Sequence, residues 1–196
     1  MALAYHNIMR ITEEETITGK ELEKYLRQSM QFEYCTFRNC DFTGRNPSGI
    51  TFLECEFIDC DLSGAELVNT GFKEVKFRSC KLMGLRFDQC SQFLLAMNFD
   101  SCKLDFSSFY QLNLAGAQLI NCSCLECDFV EANFSGGSFE GSDLTSATFD
   151  QTNLEKTNFT HAVNVQLDPE RNQIKGATFE RHQLPGLLSK YGLNIQ

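Results

Sequence analysis

The sequence predicts a solenoid, a chain wound into stacked coils with a bend after every fifth residue. Three observations carry this reading. Phe or Leu recurs at steps of five from Phe32 to Phe87, and again from Phe99 to Phe159. A small residue stands two before most of them, as at Cys35, Cys55, Ala65, Cys102, Ala132 and Ser142. Finally, no ordinary element can hide such a period. On an α-helix each step of five turns ~140° past a full circle, so the set would wrap the whole cylinder. On a straight strand an odd step flips the side chain to the opposite face. One face stays buried only if the backbone corners once per five residues. The spacing of two is then the extended part of a side, and the spacing of three carries the corner.

The elements follow in order. Residues 1–29 read as an N-terminal cap segment. Thr18-Gly-Lys-Glu21 fits a capping box ahead of ELEKYLRQ, a helix-forming run. Ile17 and Leu22 are also in phase with Phe32, and extended structure is preferred because the first coil needs an end cover. Residues 30–181 form the repeat region. Pro47 breaks the first stretch at a large position and suggests a local irregularity; Cys124 breaks the second. The two stretches differ in phase by two residues, with the break near 88–98. A bulge near Ser91–Gln92, with Leu94 restoring the inward position, repairs the frame. This bulge is either a tolerated corner insertion or a loop that touches a partner. Residues 163–173 lose the pattern but keep the count, since Ile174 and Phe179 remain in phase. Residues 182–196 form the C-terminal helix and tail, with a short helix from about Leu184 to Tyr191 and Gly192 as its C-cap. Leu187, Leu188, Leu193 and Ile195 are more apolar surface than one short helix hides. They either cap the coil or form a two-fold dimer contact.

Composition narrows the function. The chain has 196 residues and 42% hydrophobic content, enough for one domain with a core. No apolar run is long enough to cross a membrane. MALAYHNIMRITEEE lacks the apolar stretch and small-residue site of a signal peptide. Ten cysteines without an export signal favour reduced thiols and a cytoplasmic location. The net charge of −9 argues against nucleic acid and for a basic partner or plain solubility. His6, His161 and His182 are scattered with no Cys or Ser at a recognisable spacing, so no enzyme activity, cofactor or metal is expected. GGSFEG (136–141) is a repeat rather than a phosphate loop.

Blocks such as CDFTG, CDLSG, ANFSG, SDLTS and TNLEK resemble the A(D/N)LXX pattern of pentapeptide-repeat proteins. The resemblance covers about 30–185 and implies an all-β fold, a right-handed quadrilateral β-helix. Four pentapeptides then make one coil, and residue n stacks under n+20. Phe99, Leu119, Phe139, Phe159 and Phe179 would form one ladder, and Leu114, Phe134, Leu154 and Ile174 another. Cys40, Cys60 and Cys80 would share a ladder, with Cys102 and Cys122 in a different one. Cys122, Cys124 and Cys127 look like half a zinc site. Yet all the cysteines but Cys124 stand at the small inward position, where buried Cys acts as a small hydrophobe. Coils ~4.8 Å apart hold stacked Cβ atoms farther apart than the ~3.8 Å a disulfide prefers, and zinc needs ligands converging on a tetrahedron.

With the interior filled, function must lie outside. From Leu104 to Glu155 there is no Lys, Arg or His, but there are eight acids: Asp105, Glu126, Asp128, Glu131, Glu140, Asp143, Asp150 and Glu155. That span makes ~12–13 Å of rod at strand spacing, a length over which B-DNA carries about seven charges. Folding the chain in fours puts Glu66, Asp88, Asp128, Glu131, Asp150, Asp168 and Glu170 on one side, against Arg86 and Arg171, and Asp41, Asp61, Asp105, Glu126 and Asp143 on its neighbour, against Lys81 and Lys103. The partner-binding candidates are Glu126, Asp128, Glu131, Asp143 and Asp150.

The Cys-rich first stretch (FRNCDF, FLECEFIDCDL), the mid-chain phase break and the closing D-P-E-x-N…L-x-x-L-x-x-x-G-L are similar to the gyrase-protecting group of the family. That group includes plasmid quinolone-resistance proteins and immunity proteins against gyrase poisons of the microcin B and albicidin type. The resemblance implies a DNA mimic that binds DNA gyrase or topoisomerase IV, helped by a homodimer. This sequence departs from that group in lacking a long extruded loop. The alternatives are an interaction scaffold for another protein partner, and a thiol or metal protein.

Overall fold

A computed structural model describes residues 10–194. Short parallel strands stack into two continuous sheets. One has the order β1 (Ile11–Glu13), β3 (Gln31–Glu33), β5 (Thr51–Leu53), β7 (Gly71–Lys73). The other runs β2 (Thr16–Thr18), β4 (Thr36–Arg38), β6 (Glu56–Ile58), β8 (Val75–Arg78), β9 (Met97–Asp100), β10 (Leu119–Ile120). Partners are twenty residues apart, as in Phe32↔Phe52 and Phe37↔Phe57. The other two faces are joined by single bridges such as Ser123↔Asp143 and Asp128↔Thr148. The molecule is a four-sided parallel β-solenoid.

Its corners have a repeated cause. Two residues past most large positions the backbone turns left-handed, at φ 54° for Tyr34, 52° for Asn121 and 57° for Ser146. Gly occupies this position at Gly44, Gly64, Gly84, Gly116 and Gly136, where a Cβ carries a steric cost. The large residues fill the shaft as stacked rings. Phe37–Phe57 centroids lie 4.7 Å apart and Phe159–Phe179 4.8 Å.

The small inward residues do more than save space. Each of several donates to the carbonyl of a large residue one coil back: Ser142 Oγ to Leu119 at 2.8 Å, Thr152 Oγ1 to Phe129 at 2.9 Å, Cys127 Sγ to Leu104 at 3.0 Å, and Cys60 Sγ to Phe37 at 3.4 Å. The same side chains accept backbone N–H groups, Cys40 to Cys60 Sγ at 3.4 Å and Cys122 to Ser142 Oγ at 2.9 Å. Cys, Ser and Thr share the position because each is small and can both donate and accept. All ten cysteines are free and buried.

Several details correct the sequence reading. The ladder reaches back to Ile11, so the first coil begins within the segment assigned to a cap. Both N-terminal readings apply in part. Thr16–Thr18 is extended with Ile17 buried, and α1 (Leu22–Gln28) then takes the place of two sides, burying Leu22. Glu21 Oε2 accepts the Thr18 hydroxyl at 3.0 Å, which ties the turn before α1.

Pro47 makes no irregularity. It is buried in register, and Ser48 Oγ donates to the Glu66 carbonyl at 3.3 Å, which the missing proline N–H leaves free. At the phase break the register steps by twenty-two, Phe77↔Phe99, and the ring stack continues at 5.2 Å. Cys102 and Cys122 therefore continue the Cys40–Cys60–Cys80 ladder. Leu94 does not restore the inward position. It sits at φ 58° and is 66% exposed, beside Phe93 at 68%. Leu95 packs on the core instead, because the coil re-forms through Ala96, whose N–H meets the Phe72 carbonyl at 3.0 Å.

The C-terminal segment is shorter in helix than expected. A 3-10 turn (Arg181–Gln183), α2 (Leu184–Leu187) and a second 3-10 turn (Ser189–Tyr191) precede Gly192 at φ 59°. Gln183, which sequence reasoning passed over, closes the shaft. Its Nε2 donates to the carbonyls of Phe159 at 2.8 Å and Ala162 at 2.6 Å.

Candidate partner-binding surface

The left-handed corner conformation turns outward whatever stands there. Glu126 (φ 52°) and Glu131 (φ 57°) are exposed for this reason. Glu131 accepts from Gln111 Nε2 at 2.7 Å and from the Tyr110 hydroxyl at 3.4 Å. Asp128 and Asp143 are half-buried beside the corners. Asp128 accepts the Val130 N–H at 2.9 Å. Asp143 accepts the Thr145 hydroxyl at 2.6 Å, the Thr145 N–H at 3.0 Å and Asn164 Nδ2 at 2.9 Å. The Thr145 hydroxyl, then Asn164 and the Thr145 N–H, hold its carboxyl below the usual range against the opposing effect of burial.

Asp150 differs from the other candidates. Arg171 grips it through Nε at 2.6 Å and Nη2 at 2.5 Å, a two-pronged ion pair. The residues are twenty-one apart, so the pairing shows only once the coil is closed. Asp168 and Glu170 are likewise held by Lys190 Nζ at 2.7 and 2.6 Å. The D-P-E-x-N stretch is thus structural: Asn172 accepts the Thr152 N–H at 3.0 Å and donates to the Phe149 carbonyl at 3.1 Å.

From 30 to 103 eight Lys and Arg are interspersed with ten acids, and three of those acids form ion pairs. Glu56 meets Arg78 at 3.1 Å, Asp61 meets Lys81 at 3.5 Å and Asp88 meets Arg86 at 2.6 Å. In the span 104–155, Asp105, Glu126, Asp128, Glu131, Glu140, Asp143 and Glu155 have no cationic partner among the described residues. Glu126 lies at the corner between the face bearing Asp143 and the face bearing Asp128. Two exposed aromatics that no sequence pattern singles out, Phe106 and Tyr110, stand beside the strip.

A family model for a pentapeptide repeat region matches residues 30–93, and one for pentapeptide repeats matches 98–136 and 122–161. The chain belongs to the pentapeptide-repeat family. This pentapeptide-repeat protein is similar to a trypsin-treated variant of QnrB1, a plasmid-mediated fluoroquinolone resistance protein, at 24% identity over 95% of this chain and 97% of that one, with a TM-score of 0.47. It is also similar to HetL, a pentapeptide-repeat protein involved in heterocyst differentiation regulation from the cyanobacterium Nostoc sp. strain PCC 7120, at 18% identity over 85% and 81% of the two chains, with a TM-score of 0.38. No curated protein matches the sequence.

At the C-terminal end, Leu187 is buried against the solenoid, while Leu188 (36%) and Leu193 (57%) are exposed alongside Leu184 and Tyr191. Ile195 lies outside the described residues. Among the described residues no cluster of His, Cys, Asp and Glu could hold a metal ion, and no helix is long and apolar enough to cross a membrane.

Proposed function

We propose that this protein is a non-enzymatic DNA mimic that binds a type II topoisomerase, DNA gyrase or topoisomerase IV, and shields it from quinolones or gyrase-poisoning toxins. One observation carries the reading: a run of carboxylates in a 52-residue span of the rod that holds no Lys, Arg or His, beside a first half in which eight Lys and Arg stand among ten acids from 30 to 103. Seven of these acids over ~12–13 Å approach the ~1.7 Å per charge of duplex DNA. A basic DNA-binding saddle would be drawn to this surface by long-range attraction. The motif resemblance to the gyrase-protecting group agrees with it. Glu126, Asp128, Glu131 and Asp143 carry the contact, with Phe106 and Tyr110 as neighbouring anchors. Asp150 is removed from the charge count by Arg171. Leu188 and Leu193, with Leu184 and Tyr191, supply a two-fold contact that doubles the rod.

The test is a gyrase supercoiling assay over a salt series. Inhibition or drug protection at micromolar protein should weaken steeply with salt and vanish in Glu126→Lys/Asp128→Lys/Glu131→Lys. No effect of the wild-type protein on either enzyme removes the proposal. A pull-down that recovers another partner, indifferent to those reversals, selects the scaffold alternative.

A further inference from the structure

Among the described coils, the corner from Cys124 to Cys127 has cysteine at both inward positions, and no other corner does. The Cys127 N–H donates to the Cys124 carbonyl at 3.2 Å and closes a four-residue turn. Such a turn holds its end Cα atoms under ~7 Å apart, and a disulfide spans ~4.4–6.8 Å. The ladder cysteines are placed differently, one above another at coil spacing. Both side chains enter the shaft and are 0% exposed. Cys124 stands where Leu104 and Leu144 stand in the neighbouring coils, so the smaller side chain leaves its sulfur room to rotate. The Cys127 sulfur, toward which the Cys124 thiol can donate, is the largest influence on that thiol, and with burial it pushes it well up.

We propose that Cys124 and Cys127 form a thiol modification site that small hydroperoxides oxidise to an intramolecular disulfide inside the shaft. One thiolate sulfur attacks a peroxide oxygen, the O–O bond breaks, and the departing hydroxide leaves as water with the thiol's proton. The sulfenic sulfur is then attacked by the second thiol, the S–O bond breaks, and a second water leaves as the S–S bond forms. Two electrons and two thiol hydrogens pass to the peroxide. Both sulfurs are covered in the closed coil, so the reaction proceeds through opening of the Leu125–Glu126 turn and is slow. The inference does not depend on what binds the acidic surface.

The full chain is treated with hydrogen peroxide under native conditions, its remaining thiols are alkylated in denaturant, and it is cleaved after glutamate. Cleavage at Glu126 separates the two cysteines. Sulfoxide at Met30, which is 56% exposed, marks the dose. The expected product is 127–131 linked to the peptide ending at Glu126, with the bond at Cys124. Cys127→Ser abolishes the product while its melting curve shows a folded protein, since Ser107 and Ser142 already serve at small positions. Cys122→Ser leaves the product unchanged. The proposal is overturned if both thiols are still alkylated when Met30 is fully oxidised, or if the bond maps to Cys122 or Cys102.

Discussion

Removing one hydroxyl from the shaft tests the role assigned to the small inward residues. Ser142 is 0% exposed and serves two backbone groups, accepting the Cys122 N–H at 2.9 Å and donating to the Leu119 carbonyl at 2.8 Å. Ser142→Ala deletes a single oxygen, so the cavity is negligible and the loss is one of hydrogen bonding. Each neutral bond contributes about 0.5–1.5 kcal/mol, and a buried group left unpaired costs about 1–3 kcal/mol. The expected destabilisation is about 2–4 kcal/mol. Ser142→Cys should cost less than half as much, because Cys60 performs the same exchange in the same ladder at 3.4 Å. Urea unfolding followed by far-UV circular dichroism measures both, and amide exchange at Cys122 should quicken in the alanine variant. If Ser142→Ala lies within about 0.5 kcal/mol of wild type, the residues are spacers and the hydrogen-bond argument fails.

Phe139→Ala opens a cavity between the Phe129, Phe149 and Phe159 rings and should cost about 3–5 kcal/mol, whereas Glu126→Ala should lie within about 0.5 kcal/mol of wild type by the same urea unfolding. A Cβ on Gly186 would lie 1.9 Å from the Val165 carbonyl, so Gly186→Ala should detach the C-terminal segment and expose Leu187, read as faster cleavage by a protease acting after Lys190. Lowered carboxyl pKa values at Asp143, Asp168 and Glu170 mean stability that is present above their unfolded values and lost as pH falls through the folded ones. Melting temperature should therefore drop from about pH 4 downward, and Asp143→Asn should flatten that drop. A drop of equal depth in the variant would discount Asp143.

Inside versus outside was legible because one period of five governs every coil, and the side chains at Phe139 and Phe159 obey it without help from elsewhere. The details that escaped depend on backbone partners one coil away. Leu94 and Leu95 are equivalent to any pattern of apolar residues, and the hydrogen bond from Ala96 to Phe72 decides between them. Pro47 read as a defect because its lost N–H was visible and the compensating Ser48 hydroxyl was not. The cysteines were understood as small and apolar, which accounts for their burial but not for the carbonyls they serve. Over 22–28 the phase of Leu22 favoured extended structure and the signal at Thr18–Glu21 a helix, and the two proved compatible: α1 forms and still buries Leu22. At the surface, sequence located the acids but not their ion pairs: Asp150 and Glu131 look alike until the coil sets Arg171 beside the first. Gly at positions two past the large residue marks the corners directly, and that signal was available in Gly44, Gly64 and Gly84.

The step of twenty gives the architecture a particular freedom to change length. Each coil satisfies its neighbours through the same short set of exchanges, so duplicating twenty residues inside 104–155 would add one storey without altering those above or below. Growth by copying would lengthen the acidic strip by one strand spacing at a time, and the phase break at 91–95 shows that even an imperfect copy can be absorbed when the rings keep their pile.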